Sequence, residues 1–193
     1  MSNIYKKIKV LNIIALPLIV QQIGAMIINI SDQALIGRIS VEAFNGVGLV
    51  SGLLNLVVGI FGYSSVIFNI KASRAKGEKN SNKYIYEFNS AILLSLFISV
   101  PLMIIFGLSG KEILSVIYGI SGETLKQALI YLKVMIIYIP LQMLLFVYGT
   151  VFKIEKKTKY IMFFSLFSSL LNVFLDYILI FGKFGFPVLG LNG

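Results

Sequence analysis

Five apolar runs divide the chain, at about residues 11–36, 43–70, 84–108, 128–152 and 160–182. Each approaches or exceeds the ~20 residues that an α-helix needs to cross ~30 Å of hydrocarbon. The pattern predicts an all-α, polytopic membrane protein with five transmembrane helices. The segments between the runs are polar and short. Residues 109–127, with Gly110, Gly119 and Gly122 and mixed charge, read as an outer connection with room for an interfacial helix.

Polar residues interrupt two of the runs on particular faces. In the fifth, Ser165, Ser168, Ser169, Asn172 and Asp176 recur at spacings of three and four and so share one helical stripe. In the first, Gln22, Asn29 and Gln33 recur at seven and four, with Asp32 beside them. A charged side chain at membrane depth costs roughly 2.5–3.5 kcal/mol on insertion scales, so carboxylates there are expected to bind or pair with something. Both helices run the same way. Counted from Lys9 and Lys159, the two aspartates differ in depth by about 9 Å at ~1.5 Å per residue, which still lets them meet in one cavity in the outer half. Asp32, Asn172 and Asp176 are therefore candidate cation ligands, with Gln22, Asn29, Gln33, Ser168 and Ser169 as cavity-lining candidates.

Composition agrees with lipid as the solvent. Hydrophobic residues are 58% of the chain and charged residues 13%, with a mean hydropathy of +0.91, more apolar surface than a soluble domain of this size hides in one core. With no Cys and no His, disulfides, thiolate or imidazole metal sites, Cys or Ser–His nucleophiles and a histidine proton relay are all excluded. No cofactor is expected. The stretch after Lys6, Lys7 and Lys9 runs far beyond a signal peptide's apolar core and reads as a retained spanning helix.

The net charge of +9 has an orientation meaning. Lys6, Lys7 and Lys9, then Lys71, Arg74, Lys76, Lys79 and Lys83, then Lys153, Lys156, Lys157 and Lys159 all fall on one side. Arg38, Lys111, Lys126, Lys133 and Lys183 fall on the other. The positive-inside rule then puts the N-terminus in the cytoplasm and Gly193 outside. Basic loops at regular intervals between spans do not make a nucleic-acid surface, and no nucleic-acid partner is expected.

Other signals are structural first. Gly48 and Gly52, a Gly-x-x-x-Gly joined by Gly46, Gly59 and Gly62, suggest close helix packing in the second run, with a substrate path along that face as the lesser reading. Pro17, Pro101 and Pro140 lie inside apolar runs, and Pro17 is a candidate bend on the Asp32 helix. An intramembrane aspartic protease would use a Gly-x-Gly-Asp motif, whereas Val173, Phe174 and Leu175 precede Asp176, so no enzyme is expected.

These residues carry a family resemblance. Ala15-Leu16-Pro17, Gln21-Gln22, Asn29-Ile30-Ser31-Asp32 and Ile36-Gly37-Arg38 resemble the first helix of the multidrug and toxic compound extrusion (MATE) family. Residues 72–78 resemble its loop after helix 2, and Tyr131-Leu132 with Pro140 its helix 4. Most specific, residues 171–177 with Ile180-Phe181-Gly182 and Leu189-Gly190 are similar to helix 5 and its turn into helix 6. The basic loop before Tyr160 departs from the family's Gly-rich turn.

The resemblance implies two six-helix lobes and export of cationic small molecules in exchange for Na⁺ or H⁺, in a bacterial inner membrane. It implies that the chain is an N-terminal fragment whose partner is a C-terminal half, and that it is not expected to transport alone. In the DinF-like branch it implies a cation site on Asp32, Asn172 and Asp176, to which Na⁺ could bind, and a helix change at Pro17. Two alternatives stand beside it. A flippase for lipid-linked oligosaccharides would favour interior Arg or Lys, which the spans almost lack. A non-transporting membrane scaffold or subunit is the other.

Overall fold

The computed structural model describes residues 2–187, and the Leu189-Gly190 segment lies outside the described residues. Among these described residues seven helices follow in order: α1 (Ser2–Ile36), α2 (Val41–Gly62), α3 (Ser64–Gly77), α4 (Ser81–Tyr118), α5 (Gly122–Met135), α6 (Tyr138–Ile154) and α7 (Thr158–Phe181), with a short 3₁₀ turn at Lys183–Gly185. Among the described residues there is no strand. Among the described residues four helical stretches are long and apolar enough to span a bilayer, or five if the bent α5–α6 pair counts as one.

Local chemistry sets the boundaries. Ser40 caps α2, its hydroxyl accepting from the Ala43 N–H at 3.0 Å, and Asn80 caps α4 by accepting from the Lys83 N–H at 3.0 Å. Gly119 and Gly182 end α4 and α7 at φ 62°, a left-handed conformation open to glycine without steric cost. α2 and α3 meet at Tyr63 and form one stretch of 37 residues.

The fourth apolar run is not one straight helix. Pro140 has no N–H for the carbonyl of Ile136, which instead accepts from Ile139 at 3.3 Å, and α5 and α6 diverge there by 46°. Residues 109–127 also differ from the expected connection. α4 continues to Tyr118 through a kink at Ser109 (φ −111°, ψ 16°), and α5 starts at Gly122, so only a tight link separates them.

Packing places the main core between α2, α4, α5 and α6, on Val50, Leu54, Val58, Leu114, Leu132 and Ile139. Helix approach is set by Gly46 and Gly62, not by the Gly48/Gly52 pair. A Cβ on Gly46 would lie 2.8 Å from the Ala128 backbone nitrogen, and one on Gly62 would overlap the Phe146 ring, whereas Gly48, Gly52 and Gly59 face open space. Of the glycines grouped by the sequence, Gly46 and Gly62 make the close approaches within this chain, because the α2 face that carries them is the one turned to α5 and α6.

α1 pairs chiefly with α7. α1 continues as a helix through Pro17, which leaves the Ile13 carbonyl without its usual donor. The fully buried Thr158 hydroxyl, in the first turn of α7, donates to that carbonyl at 3.3 Å. Further along, Gly24 lets Leu166 approach; a Cβ there would sit 2.7 Å from Leu166 Cδ2.

Candidate functional site

Starting from the Thr158–Ile13 contact, Asp32 lies nineteen residues along α1 and Asp176 eighteen residues along α7. The parallel helices therefore carry their aspartates at one level. The ~9 Å offset expected from the lysines is corrected, because Thr158 aligns with Ile13 and the Lys6–Lys9 turn extends beyond the start of α7. The level lies in the half of the span away from the basic loops.

The two carboxyl groups face each other within hydrogen-bonding reach and interact electrostatically. Two ionised carboxylates are acceptors only, so a proton or a cation must lie between them for the contact to be attractive. Asp32 Oδ1 is buried and has no hydrogen-bond partner among the described residues. A buried acceptor of this kind is costly unless something donates to it or coordinates it.

Sequence reasoning missed the third member of the cluster. Tyr131 on α5 is close enough to interact with both aspartates, and its hydroxyl accepts from Ser51 of α2 at 3.2 Å. One turn along α2, Asn55 accepts from the Tyr138 hydroxyl at 3.0 Å. These bonds tie α2 to α5 and α6, and Tyr131 lies near enough to the carboxyl pair to feel its charge. Tyr131 is visible in the sequence as a tyrosine within an apolar run, but no stripe of like residues marks it.

The other candidates fall differently. Asn172 lies one turn before Asp176 on α7 and is exposed, as are Gln22, Asn29 and Ser168, while Gln33 and Ser169 are half-buried. Pro17 is buried at the far end of the α1–α7 contact from the aspartates. Among the described residues no group of three or more Asp, Glu, Cys or His side chains gathers to hold a metal, so any Na⁺ site needs neutral oxygens beside the two carboxylates.

The sequence pattern of the MatE family matches residues 17–178. The chain is 28% identical over 180 residues to "Probable multidrug resistance protein NorM" of Thermotoga maritima, covering 93% of this chain and 39% of that protein. It is 30% identical over 195 residues to the protein of the same name from Halalkalibacterium halodurans, covering 98% and 41%. The chain thus spans about 40% of the length of the relatives it matches. The fold superposes on an outward-facing multidrug resistance MATE family transporter of the MOP superfamily with a TM-score of 0.83 at 19% identity, covering 95% of this chain and 40% of that one. It also superposes on a MOP superfamily transporter from Pyrococcus furiosus, described as having a binding pocket of reverse polarity, with a TM-score of 0.78 at 18% identity, covering 95% and 40%. With its apolar spans, its helical fold and this match along most of its length, the chain is an integral membrane protein that belongs to the MATE transporter family.

Proposed function

We propose that the chain supplies the first lobe of a multidrug exporter in a bacterial inner membrane, with its N-terminus in the cytoplasm. In this lobe Na⁺ or H⁺ exchanges with organic cations at Asp32 and Asp176. The reading is carried by one observation: the two intramembrane carboxyl groups face each other across α1 and α7, with Asp32 Oδ1 buried and unpartnered.

Their mutual repulsion when both are ionised favours any cation that enters between them. A proton neutralises one carboxylate, whereas Na⁺ takes oxygens from both and from Asn172 if that side chain turns inward. An organic cation relieves the same repulsion, so drug and coupling ion compete. Alternating access follows when the two conformations of the protein favour different occupants. Tyr131, held by Ser51, supplies a neutral hydroxyl beside the pair. Substrate export is tested in a full-length transporter carrying this lobe, by gradient-driven efflux of a fluorescent organic cation from proteoliposomes. Asp176→Asn should abolish it, and wild-type efflux in a well-inserted Asp176→Asn protein would refute the reading.

A further inference from the structure

Apart from the carboxyl pair, neither of whose aspartates lines it, a cavity of about 570 Å³ opens between the kinked end of α4 and α5. Its walls are apolar, including Leu108, Leu129 and Ile136, and three lysines line it: Lys111, Lys126 and Lys133. The five basic residues outside the basic loops are thus unevenly placed, with three at this one cavity. Glycines shape it. Gly107 leaves ordinary contact space beside Ile136, and Gly110 lies against Leu132, so the two helices stay close on one side and part on the other.

The depth of the cavity identifies its surroundings. From Ser81, beside the basic loop, to Lys111 is thirty residues of helix, about 45 Å at ~1.5 Å per residue. A bilayer with its headgroups is about 40–45 Å thick. Lys111 therefore stands at the headgroup level of the leaflet opposite the basic loops. Lys133 shares that level because its neighbour Leu132 packs on Gly110. The exposed Leu108 faces the adjoining hydrocarbon. Two acidic residues are near. Glu123 pairs with Lys126 at 3.4 Å and accepts from Gln127 at 2.6 Å, and the exposed Glu112 follows Lys111. Lys111 and Lys133 have no ion pair among the described residues.

We propose that this cavity binds one anionic phospholipid, its phosphate between Lys111 and Lys133 with Lys126 at the rim, and its acyl chain along Leu108, Leu129 and Ile136. Cation charge at headgroup level beside an apolar slot is complementary to that amphiphile and to neither a neutral lipid nor a free anion alone. Snorkelling lysines would give the charges without the slot.

The test uses the purified chain in nanodiscs of phosphatidylcholine doped with phosphatidylglycerol, with retained lipid measured by native mass spectrometry after extraction. The wild-type chain should retain phosphatidylglycerol over phosphatidylcholine by at least about tenfold. Lys111→Gln with Lys133→Gln should abolish that preference. Gly107→Leu fills the slot without touching a charge and should abolish it too, so the outcome does not hang on one variant folding. Equal retention of both lipids by the wild type overturns the proposal. So does a preference that survives Gly107→Leu, which would mean a charged surface only. Displacement of the lipid by millimolar inorganic phosphate would overturn the choice of a lipid over a free anion. Loss of the preference on self-association of the chain would assign the face to a second copy instead.

Discussion

Thr158 donates its hydroxyl to the carbonyl of Ile13 at 3.3 Å, and Ile13 is the residue whose carbonyl Pro17 deprives of its helical donor. One proline thus creates an acceptor on α1, and the first turn of α7 satisfies it. The bond also marks the register, shared with the Gly24–Leu166 contact, in which Asp32 and Asp176 are level.

A double-mutant cycle tests this dependence. Thr158→Val should lower resistance to unfolding by about 0.6–1.7 kcal/mol, the range for hydrogen bonds between membrane helices. In a Pro17→Ala background residue 17 regains its N–H and takes the Ile13 carbonyl, so the same change should cost close to nothing. Thermal or denaturant unfolding in detergent reads both. Equal costs in the two backgrounds would show that Thr158 acts by burial alone.

The glycines of α2 give opposite expectations along one helix. Gly46→Ala puts a methyl 2.8 Å from the Ala128 backbone nitrogen and 3.1 Å from the Thr124 carbonyl oxygen, atoms that move only if α5 moves. It should destabilise by about 1–3 kcal/mol, the usual range for overpacking. Gly52→Ala meets nothing within 4 Å and should stabilise by up to ~1 kcal/mol through helix propensity. Melting temperatures of the two variants moving in the same direction would contradict the α2–α5 packing.

The spans were legible because lipid imposes a length and a composition that few other structures share, and the aspartates were legible because charge within such spans is rare. The Pro140 bend was half legible: the proline shows that a bond is lost, while the 46° depends on how Ile139 and Ile136 rearrange. The level of Asp32 against Asp176 was misjudged from flanking lysines, since loop length carries no information about which residues of two helices touch. Which of the α2 glycines meet a neighbour in this chain was not legible, for a related reason. A Gly-x-x-x-Gly spacing marks a smooth helix face, and only tertiary contacts say whether a neighbour uses it. Tyr131 was legible as part of the helix 4 resemblance but not as a site residue, because its place beside the carboxyl pair comes from contacts with other helices, Ser51 of α2 among them.

Orientation is tested by reporters. With the basic loops inside, fusions after Lys79 and Lys156 should report cytoplasm and a fusion after Gly119 should report the exterior. Phosphatase and fluorescent-protein fusions read the two sides. A fusion after Gly119 with cytoplasmic activity would invert the scheme or remove a crossing.

The last prediction separates the roles within the carboxyl cluster, in a full-length transporter that carries this lobe. Asp32→Asn and Asp176→Asn each remove one of two facing charges, and a lone carboxylate, without the repulsion that favours an entering cation, binds one far less well, so gradient-driven export should fall by more than about 100-fold. Membrane insertion should persist, because an amide is easier to place in lipid. Tyr131→Phe removes a single hydroxyl and leaves Ser51 without its acceptor, an effect of about 1 kcal/mol, so export should fall roughly fivefold. Asn172→Ala distinguishes the ion. If Na⁺ drives export, loss of an oxygen ligand should weaken Na⁺-driven export several-fold and leave H⁺-driven export unchanged; if protons drive it, neither should change much. Efflux measured under separately imposed Na⁺ and H⁺ gradients gives the answer, and export by Asp32→Asn at the wild-type rate would mean that the facing carboxyl groups are a packing contact and not the coupling site.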